Sequence, residues 1–243
     1  MKKINTQLPE LAHARQMPKS SSPDVQFEGV AQRSDYWDSY YEHDGLIKMQ
    51  PPSQFAAFIA SECMHTPLFV DVGCGSGRDT FFFAQMGHST LGIDGSESAI
   101  SHCKRSFQVF DRGAVHHEFQ CLNVLELSSN MDWIEELKTK RKTIYSRFFL
   151  HAITEFEQAA FLDFAFNSMQ QEDILALEFR TLADAYRNKV TGAHYRRYID
   201  AQELVQQLTQ EYPGRLLYFA EGTGMAKYKT DDAHVARILI ART

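Results

Sequence analysis

The sequence is poor in the features that mark several protein classes. Its 243 residues include four cysteines, Cys63, Cys74, Cys103 and Cys121, and no C-x-x-C pair. Reduced thiols in a cytosolic (cytoplasmic) enzyme are therefore expected, and a disulfide framework is not. No apolar run approaches the roughly 18 residues of a membrane span. The basic start Met1-Lys2-Lys3 leads into no apolar stretch, so it does not read as a secretory signal. Positive charge is in deficit: 25 basic against 31 acidic side chains leave a net charge of −6. That balance argues against a nucleic-acid binder working through a basic face. The pair His116-His117 lacks a third ligand at useful spacing, so no metal is expected there. Repeats and low-complexity tracts are also missing. The length suffices for one large α/β domain with its own core.

What is present begins at Leu68-Phe69-Val70-Asp71-Val72. This short β-branched and aromatic run has the pattern of a strand buried on both faces of a parallel sheet. Glycines then follow at alternate positions, Gly73, Gly75 and Gly77, before an apolar helical segment around Phe81-Phe82-Phe83 that Gly87 closes. A strand, a glycine loop and a helix together bring backbone N–H groups and a helix N-terminus up to a ligand. A dinucleotide fingerprint needs a third glycine where Arg78 stands, so it fails here. A second strand, Ser89 to Ile93, ends in Asp94, about 20 residues past the loop, where an acid can hold ribose hydroxyls. The competing reading of Asp94 is an N-cap for the helix that follows.

The spacing Asp71-x-Gly73-x-Gly75-x-Gly77 resembles motif I of the class I S-adenosylmethionine-dependent methyltransferases. The resemblance implies that the loop passes under the methionine part of the cofactor, with Asp71 near its ammonium and Asp94 on the ribose. It extends cofactor contacts to Cys74, through its backbone, and to Gly95, Asn123, Val124, Ser146 and Tyr40. Asn123 stands where the family commonly contacts adenine. S-adenosyl-L-methionine is thus the expected cofactor and S-adenosyl-L-homocysteine the product. Charge complementarity agrees, since this cofactor has no phosphate and carries an ammonium and a sulfonium.

In chain order, residues 1–34 read as a mobile N-terminal arm, and residues 35–243 as the catalytic domain. The segment Asp35 to His43 holds Tyr36, Trp37, Tyr40 and Tyr41 at helical spacing. It reads equally as a core face and as a lid over the cofactor, with Trp37 and Tyr41 turned toward the acceptor. Further strands are expected at 116–122, at 143–153 as a strand with its loop, and at 174–180, 215–220 and 235–241, with helices between all but the last two. The fold class is α/β: a doubly wound, mostly parallel, seven-stranded sheet whose last strand is antiparallel. That closing pair resembles the end of the methyltransferase sheet.

The loop after the fourth strand, Ser146-Arg147-Phe148-Phe149-Leu150-His151, carries neither the Asn/Asp-Pro-Pro-aromatic motif of base N-methyltransferases nor metal-binding carboxylates. It is similar to bacterial O-methyltransferases of polysaccharide and natural-product clusters, as are Gly77-Arg78-Asp79 and His194-Tyr195-Arg196-Arg197. Cationic residues gather in the late loops: Arg147, His151, Arg180, Arg196, Arg197, Lys227 and Lys229, with Tyr195, Tyr198 and Tyr228 among them. Arginines there can grip an anion through paired hydrogen bonds. The expected partner is a small anionic acceptor (phosphate, phosphonate, carboxylate or sugar acid) methylated on oxygen. Arg147 positions it, and His151 is the candidate base if the acceptor is a hydroxyl; otherwise His151 is a satisfied histidine at a helix start. Arg180, Tyr195, Arg196, Arg197, Lys227 and Tyr228 complete the candidate acceptor wall. Rival readings are a methyltransferase for a protein side chain, a nicotinamide oxidoreductase and a non-catalytic binding module.

Overall fold

The computed structural model describes residues 30–42, 51–110, 116–187, 194–228 and 230–243. Elements follow in the order α1 (Val30–Glu42), α2 (Gln54–Glu62), β1 (Leu68–Val72), α3 (Arg78–Gln85), β2 (Ser89–Asp94), α4 (Glu97–Phe110), β3 (His117–Cys121), α5 (Val124–Ser129) and α6 (Met131–Lys138). Then come β4 (Lys142–Arg147), α7 (Glu155–Ser168), β5 (Ile174–Arg180), α8 (Ala201–Gln210), β6 (Gly214–Gly222), the small hairpin β7 (Lys227–Tyr228) and β8 (Asp231–Asp232), and β9 (Val235–Arg242). Residues 1–29, most of the expected arm, lie outside the described residues, as do His43 and Lys229. The helix carrying the aromatics starts at Val30, so it takes in the last residues assigned to the arm.

The seven strands lie in the order β3-β2-β1-β4-β5-β9-β6. The first five pair in parallel, and β9 runs antiparallel to both β5 and β6. All five residues of β1 are buried, as its uninterrupted apolar pattern requires of a central parallel strand. Alternate side chains feed two cores. Val70 and Ile144 pack against α5, α6 and α7, while Phe69 and Tyr145 pack against α2 and α3. Phe69 stacks on Phe83 with ring centroids 4.1 Å apart.

Caps fix where the helices start. Ser53 caps α2, accepting from the Ala56 N–H. Asn123 with Glu126 and Thr154 with Glu157 form capping boxes at α5 and α7. The helix α5 and the β7–β8 hairpin were not anticipated: each is too short for a periodic signal. Strand order reverses between β1 and β4, which opens a crevice at their carboxyl ends where ligands bind in such sheets.

Candidate active site at the carboxyl ends of β1, β2, β4 and β5

The glycine loop folds back on β2: the N–H groups of Gly73 and Cys74 both donate to the Ile93 carbonyl, at 2.8 and 3.1 Å. Gly73 and Gly75 have φ of +76° and +53°, a region that side chains disfavour. A Cβ on Gly73 would lie 2.6 Å from the Phe149 ring, and one on Gly75 would overlap the Tyr41 hydroxyl. Beneath the loop, Cys103 Sγ donates to the Gly75 carbonyl at 3.2 Å. Its hydrogen bond to Cys74, together with burial, pushes the Cys74 thiol well up, leaving it protonated and inert. That suits a residue offering only its backbone.

Two acids flank the loop. Asp94 Oδ2 accepts from the Gly75 N–H at 2.8 Å and Oδ1 from the Ser96 N–H at 2.9 Å. A carboxylate has about four acceptor sites, so lone pairs remain for a diol. Ser96, whose Oγ accepts from the Ala99 N–H, takes the capping place at α4, and Asp94 ties the turn before it to the glycine loop. Asp71 is buried, with one hydrogen bond from Thr80 Oγ1 at 2.6 Å. Burial, against that hydrogen bond and helped by Asp79 and Asp94, raises its carboxyl to about 7. A buried acid of this kind fits a cation, as the glycine cradle fits a ligand pressed against backbone.

The sign follows from linkage. Below about pH 7 Asp71 holds a proton that an arriving ammonium must expel. S-adenosylhomocysteine should therefore bind more tightly as pH rises from 6 to 8, releasing a proton at the lower end. Without ligand, the same shift costs folding stability as pH rises from about 4 to about 7, by about 1.4 kcal/mol per unit. Calorimetry in buffers of different ionisation enthalpy tests this, and Asp71→Asn should flatten the profile.

The remaining expected cofactor residues divide. Asn123 Oδ1 is engaged at the start of α5, accepting from Leu125 and Glu126, which leaves its amide N–H groups to donate. Gly95 lies against Asn123, and Val124 is buried as the first residue of α5. Ser146 is buried and donates to the Val72 carbonyl at 2.9 Å, so its hydroxyl ties β4 to β1. The two tyrosines lie otherwise than expected. Tyr41, expected on the acceptor side, covers the glycine loop, whereas Tyr40, expected on the cofactor, is 47% exposed. Burial and then Asp94 raise the Tyr41 phenol well above its usual range.

The aromatic helix α1 is pinned to the domain at both ends. Toward β2, Asp38 Oδ1 accepts from Ser96 Oγ at 2.6 Å, which anchors α1 to the start of α4. Toward β5, Tyr36 stacks on His194 at 4.9 Å, and Trp37 meets the same imidazole edge-on. One turn earlier, Arg33 pairs with Glu157 of α7 at 2.8 Å. Tyr195 is partly buried beneath the Arg33 guanidinium, 5.0 Å from it. Arg33 and Asp38 were not singled out from sequence, and His194 was noted only within its run, because their partners are 58 to 158 residues away.

The cationic wall is more occupied than its composition suggests. Arg180, expected to bind acceptor, is buried and bonds Asp184 and Asp231, each at 2.7 Å. Two acids on one guanidinium make it a brace between β5 and the β7–β8 hairpin. Lys227 and Tyr228 are exposed on that hairpin, and the Lys227 N–H donates to Gln54. Arg197 bonds Gln158 and the Leu150 carbonyl. Arg147 shares Glu178 with Arg237, so two guanidiniums face one carboxylate and a positive charge is left over. Arg196 is buried against His194 at 3.0 Å. Phe148, a non-glycine residue at φ +57°, carries the Arg147 guanidinium 4.1 Å over its ring and that of Arg180 at 5.3 Å. Backbone strain of this kind concentrates at functional sites. His151 is buried beside Phe148, its Nδ1 facing the Arg180 N–H at 3.4 Å. Burial, then Arg180 and Arg196, hold its imidazole well below the usual histidine range.

Residues 69–172 match a family model for the methyltransferase domain. A search of curated proteins finds no match. Many solved structures are similar. An S-adenosylmethionine-dependent methyltransferase from Anabaena variabilis aligns with a TM-score of 0.64 at 15% identity, covering 94% of this chain and 100% of that one. The 1,6-didemethyltoxoflavin N1-methyltransferase of Burkholderia thailandensis, with S-adenosylhomocysteine bound, gives 0.63 at 16%, covering 87% of each chain. Magnesium protoporphyrin IX methyltransferase from Synechocystis gives 0.60 at 16%, covering 88% and 99%. Identities this low speak to fold. The domain match spans the glycine loop and both flanking acids. Residues 69–172 are therefore a methyltransferase domain, set in a sheet that shares its fold with solved S-adenosylmethionine-dependent methyltransferases.

Proposed function

We propose that this enzyme methylates an oxygen of a small anionic acceptor held between the lid α1 and the loops after β4 and β5. The observation that carries the reading is the placement of Arg147 and Arg196 close to the buried His151, with Arg147 in a set that holds two guanidiniums for one carboxylate. The cofactor, held by the glycine loop with Asp71 and Asp94, supplies an activated methyl group on a sulfonium. Transfer from it is an in-line displacement, so alignment and exclusion of water do most of the work. The lid aromatics and Phe148 exclude water, and the surplus charge of the Arg147–Glu178–Arg237 set attracts an anion.

The same surroundings argue against His151 as a general base. A proton placed on it would sit in a buried site among guanidiniums. An acceptor that arrives as an oxyanion needs no base. His151→Asn should then keep turnover within about fivefold, whereas loss of a general base costs about 100-fold or more. The assay is methyl transfer to a panel in which each carboxylate, phosphate or phosphonate is matched by its neutral amide or ester. Preference for the neutral members, or a 100-fold loss in His151→Asn, overturns the reading. Transfer to protein side chains in the same assay would favour a macromolecular substrate.

A further inference from the structure

Arg33 has an unusual environment. Its side chain is 9% exposed, and Nη2 faces both carboxylate oxygens of Glu157, at 2.9 and 2.8 Å. Glu157 is itself fixed, since its Oε2 accepts from the Thr154 N–H at 2.8 Å and from Thr154 Oγ1 at 2.7 Å. The Tyr195 ring lies under the guanidinium. The other arm, Nη1, is buried and has no hydrogen-bond partner among the described residues. A buried N–H of a charged group left unmade costs free energy and calls for a physical reason. The Nε of Arg197, which feels the charges of Tyr195 and Glu157, is a second buried donor without a partner in the same cluster.

The position of this cluster says which ligand it faces. Arg33 and Tyr41 lie on one helix, eight residues and about 12 Å apart. Tyr41 covers the glycine loop beside Asp94, at the cofactor end. Arg33 lies at the opposite end of the lid, over α7 and the 194–197 segment. We propose that Arg33 determines acceptor specificity by giving its Nη1 arm to an oxyanion of the acceptor (carboxylate, phosphate or phosphonate), with Arg197 Nε beside it. This rests on the anionic-acceptor reading and deepens it. It makes the lid part of acceptor recognition, so an anion and closure of α1 favour each other.

The test titrates the full chain, saturated with S-adenosylhomocysteine, with benzoate and phenylphosphonate. Benzamide is the neutral control, and ligand-observed NMR reads the binding. Wild type should bind the two anions and not benzamide. Arg33→Met should weaken anion binding about tenfold or more, as loss of a charge-assisted bond does, while the S-adenosylhomocysteine affinity stays within about twofold. Arg33→Lys, which keeps the charge and loses the fork, should fall between them and covers the case in which Arg33→Met does not fold. Glu157→Gln keeps the capping geometry and should keep anion binding. Equal loss in Glu157→Gln and Arg33→Met would make Arg33 a tether, and a parallel loss of S-adenosylhomocysteine would assign it to the cofactor carboxylate; either overturns the proposal. Unchanged anion binding in Arg33→Met overturns the role of Arg33 alone. Failure of wild type to bind either anion overturns the anionic-acceptor reading with it.

Discussion

Replacing Glu178 by Gln is expected to destabilise the enzyme by about 3–5 kcal/mol, the cost of leaving buried charge uncompensated. Glu178 sits in register with Arg147 on β4 and with Arg237 on β9, so one carboxylate serves three adjacent strands. Its side chain is fully buried, accepting from Arg147 Nε at 2.8 Å and from Arg237 Nε at 2.7 Å. Arg237 also donates to the Met225 carbonyl and lies over Phe55 and Phe58, so it cannot swing out to water without unpacking α2. Gln keeps the shape and removes the charge. For a chain of this size the melting temperature should fall by roughly 10 °C. Acceptor saturation should weaken as well, because Glu178 orients Arg147. Replacing all three residues with apolar ones of similar volume should cost far less, since the charges then leave together. A loss below about 1 kcal/mol in Glu178→Gln would show that water reaches the ladder.

Cofactor affinity should respond most strongly to Asp94. Its carboxylate holds the Gly75 N–H, keeping the loop in its left-handed turn, and the Ser96 N–H at the start of α4. Asp94→Ala removes both ties together with the acceptors offered to a ribose diol. Hydrogen bonds to a charged group contribute about 1.5–3 kcal/mol each. The affinity for S-adenosylhomocysteine should therefore fall by about 100-fold or more in calorimetry. Asp94→Asn, which retains an acceptor oxygen, should fall less. An affinity within about fivefold of wild type in Asp94→Ala would reduce the residue to a loop tie.

How much could be read from the chain depended on the range of the interactions involved. The strands declared themselves because each carries its own apolar run, and β9 and β6 because no helical pattern separates them. The turn of the glycine loop was legible for a similar reason. Asp71, Gly73, Gly75, Gly77 and Asp94 span 24 positions, and their task is a local backbone shape. Tyr40 and Tyr41 were legible as one aromatic helix and not as individuals, since a rotation about the axis of α1 decides which of two neighbours meets the loop. The acceptor wall was the least legible. Arg180 looked available until Asp231, 51 residues on, occupied it. Arg33 looked like part of an arm until Glu157, 124 residues on, buried it.

The sequence by itself determined the sheet, the cofactor and the loop that holds it, because alternate glycines and an acid before them are demands of the local backbone and of one ligand's charge. Tertiary structure alone decided which cations of the late loops are committed to buried acids. A charge is spent or spare only through its neighbours, and in this fold those neighbours come from distant strands and from the lid.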